Sequence, residues 1–174
     1  PAAYALAQLR KLDRNNAAAR HNWRRLHDGI CDLPHIVPMM DDADRPSNGY
    51  AYVMRTDPAY AKQRGVANAD LREAIRLALE AEGLACNPAR WMLPAHTVFQ
   101  AKNGYGHGSP WTDSHARADI SYDLSQYPVG QTCSDTTLWI NINAHRPPNG
   151  DQQVDAVIAA IRKVYENLDD VPVG

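Results

Sequence analysis

The sequence predicts an α+β fold: a small, mostly antiparallel sheet covered by helices and entered through a long N-terminal helix. Apolar residues recur at helical spacing in three separated stretches, one near each end of the chain and one at 70–84. Two short β-rich runs, Tyr50–Arg55 and Leu138–Asn143, lie between them, and a further strand is expected near His35–Val37. The resulting order, long helix, strand, helix, irregular span, strand, helix, calls for one small sheet with helices packed on it.

The first helix is read from Leu9, Leu12, Asn16, Ala19, Trp23, Leu26 and Ile30, a 3-4-3-4 spacing with Asn16 as its one polar member. Arg10, Lys11, Arg14, Arg20, Arg24 and Arg25 lie mostly off that stripe and form a solvated face. Gly29 and Pro34 end it, so residues 1–33 are expected to be a connecting helix and 34–174 a small domain. A helix this long should also pack against something outside its own domain. Residues 38–49 are turn chemistry, and the Asp41–Asp42 pair there lacks the spacing of a calcium loop. Asp57-Pro58 closes the first clear strand. Asp70 with Glu73 is read as a capping pair for a helix with Leu71, Ile75, Ala78 and Leu79 inside, stopping at Gly83. Leu138 to Asn143 alternates as a strand. Asp151 is expected to cap the last helix, whose stripe is Val154, Val157, Ile158, Ile161, Tyr165 and Leu168.

Between these regular flanks, residues 85–137 show no sustained period, although connections beyond about 12–15 residues are uncommon in small domains. Its front, Arg90–Trp111, reads RWMLPAHTVFQAKNGYGHGSPW and holds several of the span's aromatic groups, Trp91, Phe99, Tyr105 and Trp111; Tyr122 and Tyr127 follow. Aromatic burial ties such a loop down, and glycines at 104, 106 and 108 allow close backbone approach, so it is read as a site wall on a regular scaffold. His96, His107 and His115 match no paired-ligand spacing, and no metal site is expected. The GYGHG run lacks the strand and helix that make a phosphate-binding fingerprint specific, and there is no GxSxG elbow. Lys102 is the lysine within this loop, yet nothing beside it suggests the desolvation that a Schiff-base lysine needs.

A net charge of −2 with 22% charged residues gives no excess for nucleic acid or membrane attraction, and neither partner is expected. No membrane span or secretion signal is visible, which makes the cytoplasm the expected location. Cys31, Cys86 and Cys133 are odd in number, far apart and in no CxxC pair, so they are expected to be reduced.

The opening ALAQLRKLDRNNAAARHNWRRL, with its Gln8-Leu9 and Lys11-Leu12-Asp13, resembles the segment that leads into the small domain of DegT/DnrJ-type sugar aminotransferases. The closing YPVGQTCSDTTLWININAHRPPNGDQQVDAVIAAIRKV is similar to that family's last passage, and Tyr50–Arg55 and the AEGL exit at 81–84 fall in order between them. The resemblance covers nearly all of this chain but less than half of a usual member. It implies the small C-terminal domain of a fold type I enzyme that transaminates a keto-sugar or cyclitol with pyridoxal phosphate, in amino-sugar biosynthesis. The family holds its attachment lysine in an N-terminal large domain, so the resemblance implies a large-domain partner, a homodimer and no cofactor on the isolated chain. Pro94-Ala95-His96 matches the family's P-x-H loop; Arg90, Trp91 and His96, then Tyr105 and His107, are the expected substrate-facing residues. The KNGYGHGSPW stretch departs from the commoner short loop. Two other readings stand beside it: a stand-alone sugar- or partner-binding module derived from that domain, and an unrelated hydrolase using His96 or His107.

Overall fold

The computed structural model describes residues 1–39, 42, 44–89 and 92–174. Along the chain run α1 (Ala2–Leu9), α2 (Leu12–Ile30), β1 (Ile36–Pro38), β2 (Tyr52–Thr56), α3 (Pro58–Gln63), α4 (Asn68–Ala81), β3 (Cys86–Pro88), α5 (Thr97–Gln100), α6 (Pro128–Thr136), β4 (Thr137–Ile140), α7 (Ile142–His145) and α8 (Asp151–Glu166). They fall into two compact units, Pro1–Pro88 with Thr136–Gly174, and Ala89–Asp135. No helix among the described residues is long and apolar enough to cross a membrane.

In the first unit the four strands pair antiparallel, as expected of a mostly antiparallel sheet, and they stand in the order β1-β2-β4-β3. Tyr52 and Cys86 both stand opposite Ile140, and Met54 and Pro88 both stand opposite Leu138. Opposed residues point to the same side of a sheet, so Ile36, Tyr52, Met54, Cys86, Leu138 and Ile140 form one buried face. Trp23, Leu26 and Ile30 of α2, Leu71, Ile75 and Leu79 of α4, and Val154, Ile161 and Tyr165 of α8 join that face in a single core. Each such side chain stabilises the fold by roughly 1.5–3 kcal/mol through burial alone. Burial also pushes the Cys86 thiol up to about 12, which makes it an inert packing group. Cys31 and Cys133 are likewise in no disulfide among the described residues.

Helices α2 and α8 approach closely because residue 29 is glycine. A Cβ there would lie 2.6 Å from Ile158 Cδ1 and 2.9 Å from its Cγ1 and Cγ2. Around that contact Arg25 forms a two-bond pair with Asp155 at 2.7 and 2.8 Å, and Arg162 donates to Asp32 at 2.8 Å and to the Gly29 carbonyl at 3.0 Å. Asn22 is 3% exposed, and its amide donates to the carbonyls of His145 and Asn149, both at 2.8 Å. One side chain thereby pins α7 and the turn before α8 onto α2.

Several local expectations are corrected. The first helix is interrupted at Arg10–Lys11, and its stripe is buried only from Ala19 onward; Leu9 and Leu12 are 64% and 46% exposed. Asp57 does more than end β2: its carboxylate accepts from the Ala59 amide and Pro58 takes the first turn, so α3 begins there. Helix α4 begins at Asn68 without a side-chain cap, and Glu73, read as half of a capping pair, instead bonds Arg76. Gly83, in the left-handed region at φ 84°, terminates the segment as expected. The alternation after Leu138 does not remain a strand beyond Ile140, because the Asn141 side chain accepts from the Asn143 amide and starts α7. Asp151 does not cap α8; the Gly150 amide donates to Gln153, and Asp151 bonds His21. Asp42 pairs with Arg45, while Asp41 lies outside the described residues.

His145 has 0% exposure. Burial holds its imidazole below the usual value, the Gly49 backbone opposes that shift, and Arg146 adds to it. The folded state therefore prefers neutral His145, whereas the unfolded chain takes up the proton near pH ~6.5. The stabilisation is complete above that pH and is lost as pH falls toward the depressed folded value. Urea titrations should show wild type losing stability over this interval and His145→Gln losing less, with the difference in slope as the readout. At Gly29, overpacking against Ile158 costs about 1–3 kcal/mol, while alanine recovers roughly 1 kcal/mol of helix propensity. Gly29→Ala should destabilise the protein by about 1 kcal/mol in wild type and stabilise it in an Ile158→Ala background.

Candidate functional site

The second unit, Ala89–Asp135, is built around three rings. Phe99 sits on α5, where its ring centroid is 6.0 Å from Trp111 and 5.2 Å from Tyr122. Trp111 and Tyr122 meet edge to face at 6.1 Å, and the indole N–H donates to the Tyr122 hydroxyl at 2.9 Å. These geometries are favourable for aromatic pairs and satisfy the indole donor without water. Two long side chains tie the returning segment to α5. Gln100 donates to the Pro94 and Tyr122 carbonyls at 2.6 and 2.9 Å, and Lys102 donates to the Ile120 carbonyl at 2.7 Å.

The loop between Lys102 and Trp111 is clamped by its own backbone. Gly104 and Tyr105 amides both donate to the Ser109 carbonyl, Ser109 returns a bond to Gly106, and Gly108 donates to the Asn103 side chain. Four of its residues take left-handed φ: Lys102 at 48°, Gly106 at 90°, His107 at 52° and Gly108 at 80°. For Lys102 and His107 that conformation carries strain of order 1–2 kcal/mol, held in place by the loop's bonds. With the amides of Gly104, Tyr105 and Gly108 already engaged internally, the GYGHG run is not arranged as a phosphate cradle.

Beside the rings opens a cleft of about 650 Å³. Val98, Phe99, Trp111, Ile120 and Tyr122 supply apolar surface, Tyr105 stands at the edge, and Asp113, His115 and Arg117 contribute polar groups. Asp113 accepts from the Ser109 hydroxyl at 3.2 Å, and Arg117 holds Asp119 through two bonds of 3.0 and 2.6 Å. Of the residues expected from sequence, Tyr105 belongs to this cleft. His96 is half-buried at the start of α5 and does not line it; His107 is exposed, with its carbonyl accepting from Thr112. Arg90 and Trp91 lie outside the described residues. Asp113 and Arg117 escaped sequence reasoning, because nothing in their spacing says that the loop returns them to the rings. Among the described residues no three His, Cys, Asp or Glu groups converge on a possible metal site.

Pyridoxal phosphate needs an attachment lysine in a desolvated pocket, with an anionic partner for its ring nitrogen. Lys102 is exposed and bonded to a carbonyl, Lys163 is paired with Glu82 at 2.8 Å, and Lys11 and Lys62 are exposed on helix ends. These lysines do not fit the coenzyme.

No protein-family model matches the sequence, and no curated protein matches it. Solved structures do. Spr1654 of Streptococcus pneumoniae, a proposed sugar aminotransferase, matches in its PMP form with a TM-score of 0.68 and 18% identity over 94% of this chain and 34% of that one. Its PLP form matches equally well. 3-Amino-5-hydroxybenzoic acid synthase matches with a TM-score of 0.64 and 22% identity over 90% of this chain and 36% of that one. A DegT/DnrJ/EryC1/StrS aminotransferase from Brucella abortus gives 0.62 and 16% over 92% and 34%. At these identities it is the fold that is shared, and this chain spans about a third of the length of the structures it matches. The α+β architecture expected from sequence is the one observed, and it is consistent with a C-terminal small domain of such enzymes.

Tyr122→Phe keeps the ring packing but strips the acceptor from the Trp111 indole. It should weaken the second unit by about 1 kcal/mol and speed exchange of that indole proton, read by NMR.

Proposed function

We propose that this chain is the small C-terminal part of a pyridoxal-phosphate-dependent aminotransferase that acts on a keto-sugar or cyclitol in amino-sugar biosynthesis. The attachment lysine and the coenzyme's other ligands are supplied by a large domain outside these 174 residues, and the complete enzyme works as a cytoplasmic homodimer. The observation that carries this reading is the match of 94% of this chain to about a third of a sugar aminotransferase at a TM-score of 0.68. The poor fit of Lys11, Lys62, Lys102 and Lys163 to the coenzyme is what such a division of labour leads one to expect. When bound, the coenzyme supplies the electron sink for moving an amino group.

This chain's part is to close over the site and hold the acceptor. Tyr105, presented by the clamped loop, offers an aromatic face. His96, with Arg90 and Trp91 before it, supplies polar and aromatic groups at the start of the same segment, and His107 follows on the loop. None of these is assigned a proton transfer.

The isolated chain, incubated with pyridoxal phosphate and borohydride, should carry no stoichiometric lysine-linked coenzyme by intact mass. Capture at Lys102 overturns the division of labour. Joined to a large domain of the same fold type, it should restore amino transfer to a keto-sugar or keto-cyclitol, and His96→Ala should raise KM about tenfold or more. A correctly folded pair that binds coenzyme yet transfers no amino group to any such acceptor rejects the reading.

A further inference from the structure

We infer that the cleft of the second unit is a binding site for an uncharged, polyhydroxylated six-membered ring, with Tyr105 and Trp111 packing on its C–H face and Asp113 accepting from its hydroxyls. The choice of ligand class rests on the aminotransferase reading; the geometry rests on residues 89–135 alone.

Four features converge. A cleft of about 650 Å³ is sized for a small molecule, since such sites run from roughly 300 to 1,000 Å³. Its lining includes the rings of Phe99, Tyr105, Trp111 and Tyr122, and Tyr105, although 87% exposed, is not a loose side chain on a loose loop. The crossed bonds to Ser109 and the left-handed residues on either side fix the backbone that presents it. Ordering that backbone in advance removes part of the entropic cost of binding.

The polar groups are those a hydroxylated ring requires. Tyr122 accepts the indole N–H of Trp111, which leaves its own proton to donate. Asp113 accepts one hydroxyl, from Ser109, and a carboxylate has lone pairs for more. The charge argues against a phosphate, because Arg117 is held by both oxygens of Asp119 while Asp113 adds a negative group to the lining. An anion entering would have to displace Asp119 and face Asp113. A neutral ring meets neither obstacle.

The test uses the ¹⁵N-labelled 174-residue chain titrated with myo-inositol, reading the Trp111 indole resonance, assigned by its loss in Trp111→Phe. A saturable shift is expected, weakened about tenfold in Tyr105→Ala and in Asp113→Asn, the loss of one charge-assisted bond in the latter case. Tyr105 is exposed and asparagine retains an acceptor for Ser109, so both variants should keep the wild-type spectrum elsewhere. Linear sorbitol should produce no saturable shift. The inference is overturned by the absence of saturation, by equal affinity in both variants, or by sorbitol binding as well as inositol. Tighter binding of adenosine would make the cleft a site for flat aromatic rings, and tighter binding of an inositol phosphate would make it an anion site; either result also overturns it. Inositol binding beside an inactive reconstituted enzyme rejects only the functional reading, and an active enzyme with a silent cleft rejects only this inference.

Discussion

The structure depends on β4 being paired on both sides. Four residues, Thr137–Ile140, lie between β2 and β3, so Ile140 is flanked by buried Tyr52 and Cys86, and Leu138 by buried Met54 and by Pro88 at the exposed end of β3. A strand so short has little stability alone; two ladders and a helical cover make it a central element. The same pairing settles where the second unit begins and ends. The chain leaves the sheet after Pro88 and returns at Thr137, and Pro88 stands opposite Leu138, so the excursion between them starts and finishes on adjacent strands. Loop-closure entropy, which grows with the length of such an excursion, is offset by the ladder that closes it.

With its ends fixed, the excursion can be irregular without being loose. Its order comes from the ring cluster of Phe99, Trp111 and Tyr122, from Gln100 and Lys102 reaching backbone carbonyls, and from a loop folded on its own amides. Strain at Lys102 and His107 is tolerated because neighbouring bonds over-determine the path. The same loop presents Tyr105 to the cleft that Asp113 also lines. The first unit shows the complementary economy: its helices pack on one sheet face, the close approach of α2 to α8 is made possible by one glycine, and one buried asparagine pins α7 and the turn before α8 onto α2.

Periodicity exposed the elements whose stripes are truly buried. Leu71, Ile75 and Leu79, and Val154, Val157 and Ile161, appear as helical faces because the core removes one side of each helix from water. The same pattern overstated the first helix, since Leu9 and Leu12 continue the spacing but meet no core. Strand β3 was not legible: three residues, Cys86-Asn87-Pro88, with a proline at the sheet edge, carry no alternation of their own and are strand only because β4 lies beside them. Asp57-Pro58 and Asn141 show a different limit, where one residue pair serves equally to stop a strand and to start a helix. At the candidate site, aromatic content marked the segment that holds the cleft, and of the residues expected to face substrate Tyr105 lines it. His107, at φ 52°, does not line the cleft, whereas Asp113 and Arg117 reach it on a fold-back that leaves no spacing signature.

The measurement that bears most directly on this architecture is the thermal unfolding of a chain in which residues 90–135 are replaced by a short Asn-Gly turn, joining β3 to β4 as a hairpin. If the sheet and its three covering helices are a self-sufficient frame carrying the cleft as an excursion, the shortened chain unfolds in one cooperative transition with native near-ultraviolet circular dichroism from buried Trp23 and Tyr52. A gradual transition without that signal would contradict it, because the frame would then depend on the very segment it is held to support.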